Sequence, residues 1–433
     1  MRIGLIAPPW IPVPPPAYGG TEIVIDYLAR GLMARGHDVR LFTVGESTCP
    51  VPRQWLFRSP VEPMGACAQE AAHVLAAYEA LADVDIIHDH TVMGPQLAVR
   101  RGIPRQPVVT TIHGPFTPQS RRMLAEVARH ASIVAISHAH ARCFGDIPVA
   151  AVIHHGIDLD THKPGPGTGG YLLFVGRMSA EKGAHHAVRV ARRAGWPLVI
   201  SAKIRDPAER AYFDQQVRPL LGPGDDMPAE QPLTVRLDLM RHAAALVNPI
   251  TWPEPFGLVM AEALAAATPV LALPNGAAPE IIDQGRTGYL CRDEEEMIAA
   301  VDHVHQIDRW QCRTVAERRC SLARMAADYE RLYRALLEHP GQPCQAVRLM
   351  IPCTVSGLGI SFPSPYCCDR RQGLISPATC GSRAFTRLVG IAGRREFLTA
   401  AAPDAHRGGN PLALQPDPDP LKRGDRVAAT GGP

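Results

Sequence analysis

Residues 171–194 read YLLFVGRMSAEKGAHHAVRVARRA, and this stretch decides the fold class. An apolar strand, Tyr171–Val175, ends at Gly176-Arg177, and a short loop then carries Lys182-Gly183 to a helix over Ala184–Ala194. A strand that passes through a short loop into a helix is the repeating unit of α/β folds. The two cations follow the carboxyl end of the strand, where open α/β sheets bind ligands, and both suit a phosphate group. The alternative interpretation is a pair of solvated surface charges.

The same unit recurs on both sides of this stretch. Apolar strands alternate with helical spacing through the N-terminal third, and the alternation restarts after the turn-rich segment Lys163–Gly170. We therefore predict an α/β protein with mostly parallel sheets, with an N-terminal domain over residues 1–165 and a C-terminal domain over residues 166–312. A helix is predicted over residues 313–338, and the tail over residues 339–433, rich in Pro, Gly and Arg, is expected to be disordered or non-native.

Length and composition limit the class of protein. The chain has 433 residues, 46% hydrophobic and 20% charged, as is typical of a soluble protein of two domains. Its net charge of +3 does not indicate a nucleic-acid partner, and its eleven cysteines lack any CxxC pair, which favours reduced thiols. The proline-broken N-terminus predicts a first strand rather than a signal peptide, and no apolar run is long enough to span a membrane. We expect a cytoplasmic protein with at most peripheral membrane association.

The most specific chemical pattern is Glu254-Pro-Phe-Gly-Leu-Val-Met-Ala-Glu262. It places one carboxylate in a loop and a second on the helix that follows, and Gly257 permits close backbone approach between them. Carboxylates are strong hydrogen-bond acceptors, so this pair suits a ligand with several hydroxyl groups. The alternative, an acidic helix N-terminus, accounts for one of the two glutamates only.

A second glycine loop lies near the N-terminus. Gly19-Gly20 follows a proline-rich segment and leads directly into a helix. Glycine lets backbone N–H groups approach a ligand closely, and a helix N-terminus favours an anion. The alternative is an ordinary turn before a helix that Thr21 caps.

Taken together, these motifs resemble the retaining glycosyltransferases of family 4, of the group 1 type. The resemblance covers roughly residues 1–338 and includes Val84–Thr91 (VDIIHDHT), Thr111–Gly114 (TIHG), His155–Asp158 (HGID) and Pro279-Glu280. It implies the GT-B fold, in which two Rossmann-like domains with parallel sheets face each other across a cleft and a C-terminal helix crosses back. The C-terminal domain would hold a nucleotide-diphosphate sugar as co-substrate, and the N-terminal domain most of the acceptor site. No metal or other cofactor would be needed.

The resemblance assigns the phosphate-binding residues. Arg177 and Lys182 would neutralise the diphosphate, and the amides of Gly19 and Gly20 would assist them.

The resemblance also assigns the sugar-binding residues. Glu262 would hold the ribose hydroxyls and Glu254 the hydroxyls of the transferred sugar, while His113 would lie near the sugar and the leaving group. His113 and Glu254 are therefore the predicted catalytic residues, although such enzymes have no firmly established catalytic base. The remaining predicted donor-binding residues are Phe256, Gly257 and Leu258.

Several other histidines need interpretation. His88 and His90 form an HxH pattern at the end of an apolar strand, for which we favour lining of the acceptor site or structural hydrogen bonding over a metal. His154-His155 is unsuited to a shared metal because neighbouring residues of a strand point to opposite faces. No metal site is predicted.

The sequence departs from the family pattern at two places. Family members usually have a strand that ends in a Gly-Glu loop beside the nucleotide base, whereas Asp225–Thr234 contains Pro228 and Pro232 and no glycine. Ala265–Thr268 also lacks the glycine that is common before Thr-Pro, and Ala267 adds a methyl group there.

The leading hypothesis is a metal-independent retaining transferase that moves a hexosyl group from a nucleotide-diphosphate sugar, with UDP as the expected nucleotide, to a hydroxyl of a sugar or lipid-linked acceptor. A catalytically impaired nucleotide-sugar-binding protein of the same fold is the main alternative, because of the Asp225–Thr234 segment. A nucleotide-sugar epimerase is the third.

Overall fold

The computed structural model describes residues 1–17, 19–100, 106–114, 116–228 and 230–339. The predicted tail, apart from its first residue, lies outside the described residues. None of the helices in the described ranges is long and apolar enough to cross a membrane.

The N-terminal half alternates strands and helices as predicted. Its strands are β1 (Arg2–Ile6), β2 (Asp38–Thr43), β3 (Arg53–Trp55), β4 (Ile86–Asp89), β5 (Val108–Thr111), β6 (Ser132–Ala135) and β7 (Ala151–Val152). Its helices are α1 (Gly20–Ala34), α2 (Cys67–Ala80), α3 (Gly94–Arg100), α4 (Pro118–Val127) and α5 (His138–Cys143).

The C-terminal half repeats the architecture. Its strands are β8 (Leu172–Arg177), β9 (Leu198–Lys203), β10 (Ala245–Asn248), β11 (Val270–Ala272) and β12 (Gly288–Leu290). Its helices are α6 (Ala184–Arg193), α7 (Pro207–Tyr212), α8 (Leu233–His242), α9 (Leu258–Ala265), α10 (Ala278–Ile281), α11 (Glu294–Val301), α12 (Arg309–Arg319) and α13 (Leu322–Glu338). Short helical turns cover 180–182, 213–217, 218–220 and 304–306.

Each half is built on one parallel sheet. The first has the strand order β3-β2-β1-β4-β5-β6-β7, and the second has the order β12-β11-β10-β8-β9. The central strands are buried along almost their whole length, which is the pattern expected when helices cover both faces of a parallel sheet. The prediction of an α/β protein with two parallel sheets is confirmed.

The prediction of a single helix over 313–338 is wrong, because the helix is interrupted at Cys320-Ser321. The Ser321 side chain accepts a hydrogen bond from the amide of Arg324 and so starts a new helix. On either side of the break, Ile157 N donates to Cys320 O at 2.6 Å and Leu322 N donates to Ile157 O at 2.9 Å. The first helix, α12, begins earlier than predicted and packs in the core of the second half, against α9.

Helix α13 crosses back to the N-terminal sheet. Its buried face contributes Met325, Ala326, Tyr329, Leu332 and Tyr333 to the same hydrophobic core as β1 and α1. Apolar side chains on one face of a long helix are what drive such docking, since each buried side chain of this size contributes about 1.5–3 kcal/mol. The C-terminal end of the described chain is therefore part of the N-terminal domain's core.

Both departures from the family pattern have structural counterparts. In the Asp225–Thr234 segment the described residues form no strand: one bridge joins Asp226 to Val199 of β9, and α8 begins after Pro232. Ala267 adopts a φ of +61°, in the left-handed region that usually takes glycine at a helix end. The prediction that no regular strand occupies 225–234 is confirmed for the described residues.

Candidate functional site

A cavity lies between the carboxyl ends of the two sheets, and we call it the first cavity. Loops after β1, β5, β6 and β7 with the start of α1 supply one wall, and loops after β8 and β10 with the first turns of α8 and α9 supply the other. Parallel strands deliver their following loops to one edge, which explains why residues far apart in sequence meet here. Among its lining residues are Gly19, Gly20, His113, His155, Gly176, Lys182, Arg236, Glu254, Phe256, Gly257, Leu258 and Glu262.

A second cavity adjoins the first and shares Gly19, Gly20 and His113 with it. Its N-terminal wall is largely apolar and includes Trp10 and Met64, whereas charged side chains from the ends of β8 and β9 form the opposite wall. The charged lining residues are Glu22 and Glu62 from the N-terminal half and Arg177, Lys203, Arg205, Asp206 and Glu209 from the C-terminal half.

Lys182 and Glu254 form an ion pair in the first cavity. Lys182 Nζ lies 2.6 Å from Glu254 Oε2, and both side chains are largely buried. The Lys182 ammonium also lies 5.4 Å from the centre of the Trp252 ring, a cation–π contact. The structure thus brings together a residue predicted to bind phosphate, Lys182, and a residue predicted to bind the sugar, Glu254.

Glu262 is buried in the lining of the same cavity. Its Oε1 lies 3.8 Å from His162 Nε2 and 4.0 Å from Arg236 Nη2. Burial by itself raises the pKa of this carboxyl, but His162 and Arg236 together lower the pKa below its ordinary value. Glu262 is therefore ionised at neutral pH and able to accept hydrogen bonds.

The loop between the two glutamates has the geometry that its sequence requires. Gly257 has a φ of +82° and precedes the first residue of α9, Leu258. A side chain at this φ would be strained, so glycine is the residue that permits the turn. Phe256 is buried, and its ring meets the His155 ring edge to face at 5.0 Å between centres.

Gly19 serves as the N-cap of α1, with no side-chain cap, so the alternative in which Thr21 caps the helix is wrong. A Cβ atom on Gly19 would lie 2.8 Å from Pro15 Cβ and 2.9 Å from Glu22 Oε2. A Cβ atom on Gly20 would meet nothing within 4 Å. The first glycine is thus needed for packing, and the second leaves space beside the cavity.

Arg177 does not line the first cavity. Its guanidinium lies 3.1 Å from Glu181 and 3.7 Å from Glu209 and faces the second cavity. Position explains the difference from Lys182: Arg177 is the last residue of β8, whereas the intervening helical turn carries Lys182 toward β10.

Three of the histidines form an array along the lining of the two cavities, with His155 in the first, His90 in the second and His113 in both. His90 Nδ1 lies 2.8 Å from His113 Nε2, and the His113 ring stacks on His155 at 5.2 Å between centres. Burial lowers the pKa of His113 to about 3 and holds the pKa values of His90 and His155 well below the ordinary range. The array is neutral at physiological pH and can exchange hydrogen bonds without carrying charge.

His88 does not reach either cavity, so the structure does not support its prediction as an acceptor-side residue. It is completely buried, with Nδ1 at 2.7 Å from the Tyr333 hydroxyl and Nε2 at 2.8 Å from Thr111 Oγ1. One ring nitrogen thus bonds to Tyr333 of α13 and the other to Thr111 of β5, so His88 links α13 to the first sheet. Its partner in the HxH pattern, His90, does line the second cavity.

Sequence reasoning missed several charged residues of the site. Arg236 follows a segment without a recognisable motif, and Glu22 and Lys203 lie on regular elements whose neighbours are apolar. Burial raises the pKa of Glu22 to about 7 and lowers that of Lys203 to about 8, so both titrate near neutral pH. No group of three or more His, Cys, Asp or Glu side chains within the described ranges is arranged to hold a metal ion.

Comparison with known proteins shows the family of this chain. The model of Glycosyltransferase Family 4 matches residues 18–161, and the model of Glycosyl transferases group 1 matches residues 161–310. The chain is similar to alpha-maltose-1-phosphate synthase of Mycobacterium tuberculosis, with 27% identity over 67% of this chain and 84% of that protein.

Solved structures agree with the family models. AviGT4, a glycosyltransferase involved in avilamycin A biosynthesis, matches with a TM-score of 0.60 and 26% identity over 78% of this chain and 98% of that chain. HepE of Anabaena, solved in complex with UDP-glucose, matches with a TM-score of 0.62 and 18% identity over 78% of this chain and 100% of that chain. With two facing parallel sheets and two family models that adjoin at residue 161, the chain has the GT-B fold and belongs to the group 1 glycosyltransferases of family 4.

Proposed function

We propose that this glycosyltransferase is a retaining hexosyltransferase that uses a UDP-sugar and transfers the sugar to a hydroxyl of a sugar or lipid-linked acceptor. One observation carries the proposal: a single cavity is lined by Gly19 and Gly20 from one domain and by Lys182, Glu254 and Glu262 from the other. This combination offers donors for a diphosphate and acceptors for sugar hydroxyls side by side.

Charge on the leaving group is the main chemical problem in such a transfer. The Lys182 ammonium and the amides near Gly19 and Gly20 face the cavity where a diphosphate would lie. Fixed positive charges and N–H groups in a partly desolvated site stabilise developing negative charge without reorganising. Arg177 would act only after leaving Glu181 and Glu209, or would serve the second cavity. We propose that the reaction needs no metal.

The two carboxylates would divide the donor between them. Glu262, ionised and buried, would accept hydrogen bonds from the ribose hydroxyls, and Glu254 from hydroxyls of the transferred sugar. His113 lies at the boundary of the two cavities, between the proposed donor and acceptor. A neutral ring there can orient a hydroxyl by accepting or donating one hydrogen bond, while the departing phosphate assists attack on the same face.

The second cavity is the proposed acceptor site. It adjoins the first at His113, and it has both an apolar wall and a charged wall. An acceptor hydroxyl that enters from this side reaches the first cavity without crossing the protein.

The test is a nucleotide-sugar panel with Lys182→Met and Lys163→Met. Lys163 is an exposed lysine whose charge is 3.7 Å from Asp160, so it serves as the matched control. We expect wild-type turnover with a UDP-sugar, retention of the anomeric configuration by NMR, and unchanged rates in the presence of a chelator. Lys182→Met should lower kcat by about 100-fold or more, and Lys163→Met should not. Equal rates in both variants would refute the assigned role of Lys182.

A second candidate, a nucleotide-sugar-binding protein without efficient turnover, is favoured by one observation. The described part of the Asp225–Thr234 segment contributes a single bridge to the sheet, in place of the strand that family members usually have beside the nucleotide base. Calorimetric binding of UDP-sugars with no transfer over a broad acceptor panel would support this candidate over the first.

A further inference from the structure

Arg236 is a buried cation in the wall of the first cavity. Only 8% of its surface is exposed, and its nearest carboxylate oxygen, Glu262 Oε1, is 4.0 Å from Nη2. Its Nε has no hydrogen-bond partner among the described residues. A guanidinium carries five N–H donors and no acceptor, and leaving buried donors unpaired is costly. A ligand that brings oxygen acceptors into the cavity would relieve this cost.

The unusual loop before α8 places Arg236 there. Asp226 is held against β9 by two backbone hydrogen bonds, from its amide to Leu198 O at 2.9 Å and from the Ile200 amide to its carbonyl at 2.8 Å. Pro232 then starts α8, and its carbonyl accepts the amide of Arg236 at 3.1 Å. The first turn of α8 therefore faces the cavity, where Leu233 also contributes to the lining.

Glu262 defines which part of a ligand lies near Arg236. In the proposed function Glu262 accepts the ribose hydroxyls, so a guanidinium 4.0 Å from this carboxylate lies beside the nucleoside rather than beside the transferred sugar. Lys182, which pairs with Glu254 at 2.6 Å, occupies the position suited to the phosphates. The two cations of the first cavity thus address different ends of the donor.

We propose that Arg236 selects the nucleotide base, by donating hydrogen bonds to a carbonyl oxygen of uracil or guanine and discriminating against adenine. The inference rests on the proposed function, since it requires a nucleotide in the first cavity. Arginine pairs with carbonyl and ring-nitrogen acceptors of bases, whereas adenine presents an amino donor where guanine presents a carbonyl. An all-donor side chain facing an amino group leaves both groups unpaired, and such mismatches give strong discrimination.

The experiment measures dissociation constants of UDP, GDP and ADP by calorimetry for the wild type, Arg236→Met and Arg236→Gln. Arg241→Met is the matched control, because Arg241 lies on the same helix, is 41% exposed and is outside the cavity lining. We expect the wild type to bind UDP and GDP at least about tenfold more tightly than ADP, because the complex with ADP lacks the charged hydrogen bond from Arg236. Arg236→Met should reduce this ratio to about threefold or less by weakening UDP and GDP. Arg236→Gln should gain affinity for ADP, because an amide both accepts from and donates to adenine.

Three results would overturn the proposal. A wild type that binds ADP as tightly as UDP overturns it without any variant, so the test does not depend on whether the variants fold. An Arg236→Met variant that weakens all three nucleotides equally assigns Arg236 to the diphosphate or to folding. An Arg241→Met variant with the same change in selectivity assigns the effect to α8 as a whole. A wild type that binds none of the three nucleotides instead refutes the proposed function itself.

Discussion

Glu280 joins the two halves of the molecule, and replacing it with glutamine is the sharpest test of how they are held together. Glu280 lies on α10 in the C-terminal half. Its Oε1 accepts from Ala139 N at 2.6 Å, and its Oε2 accepts from His138 N at 2.8 Å and lies 2.9 Å from His154 Nε2. All three partners belong to the N-terminal half, so one carboxylate serves three donors across the cleft.

The loss of stability expected for Glu280→Gln follows from the number of hydrogen-bond acceptors on the side chain. A glutamine at this position keeps one oxygen, and its NH2 group would face a backbone N–H donor instead of accepting from it. Hydrogen bonds to a charged group contribute about 1.5–3 kcal/mol each, and the Glu280 side chain is only 17% exposed. We therefore expect Glu280→Gln to lower the free energy of unfolding by about 2–4 kcal/mol.

The assay is equilibrium urea denaturation at pH 7.5, with Glu295→Gln as the matched control. Glu295 also sits in the first turn of a helix and pairs with Arg193, but its side chain is 68% exposed. Exposed pairs contribute at most about 1 kcal/mol, so the control should change stability little. If both variants lose the same small amount, the Glu280 contacts do not hold the domains together.

The same variant makes a pH-dependent prediction. Burial raises the pKa of Glu280, but His154 and the two amides lower it by more, so its pKa is below the ordinary value. A carboxyl with a lowered folded pKa stabilises the protein above its unfolded pKa and loses this contribution as pH falls through the folded pKa. The difference in stability between wild type and Glu280→Gln should therefore shrink below about pH 4.

Two further predictions concern the core. A methyl group on Gly31 of α1 would lie 2.8 Å from both Ala326 Cβ and Leu322 Cδ2 of α13, so Gly31→Ala should destabilise the protein. The overpacking cost of about 1–3 kcal/mol exceeds a helix-propensity gain of about 1 kcal/mol. The control is Gly224→Ala, because a methyl group on Gly224 would meet open space. Equal stabilities of the two variants would refute the close packing at Gly31. Burial lowers the pKa values of His73 and His140 to about 4, so the unfolded chain binds more protons than the folded chain between about pH 4 and 6.5. Stability therefore decreases as the pH is lowered through this range. Protonation of each histidine should cost about 1.3 kcal/mol of stability between pH 7.5 and 5.5. His113, whose pKa is lowered to about 3, adds to this loss, and the raised pKa values of Glu22 and Asp89 offset part of it. A protein as stable at pH 5.5 as at pH 7.5 would contradict this assignment.

The local pattern of residues determined the architecture and most of the site. Strand, loop and helix follow from apolar periodicity and glycines, as in residues 171–194, and these signals act over a few residues. The resemblance of the motifs to family 4 also predicted that Lys182, Glu254 and Glu262 would share one site, and the structure brings them together at the edge where the loops after parallel strands lie. The absence of a strand among the described residues of 225–234 was predictable in the same way, since proline cannot join the middle of a sheet.

Only the tertiary structure decided which side chains face a cavity and which partners they take. His88 lies on β4 and His90 directly follows that strand, yet α13, 245 residues beyond His88, buries the first and leaves the second at the second cavity. Contacts between distant segments likewise separate Arg177 from Lys182 and bring Arg236 close to Glu262. They also place three hydrogen-bond donors around Glu280. Sequence periodicity records the preference of each residue for burial, but it does not record the neighbour that burial brings, because that neighbour is chosen by the packing of the whole chain.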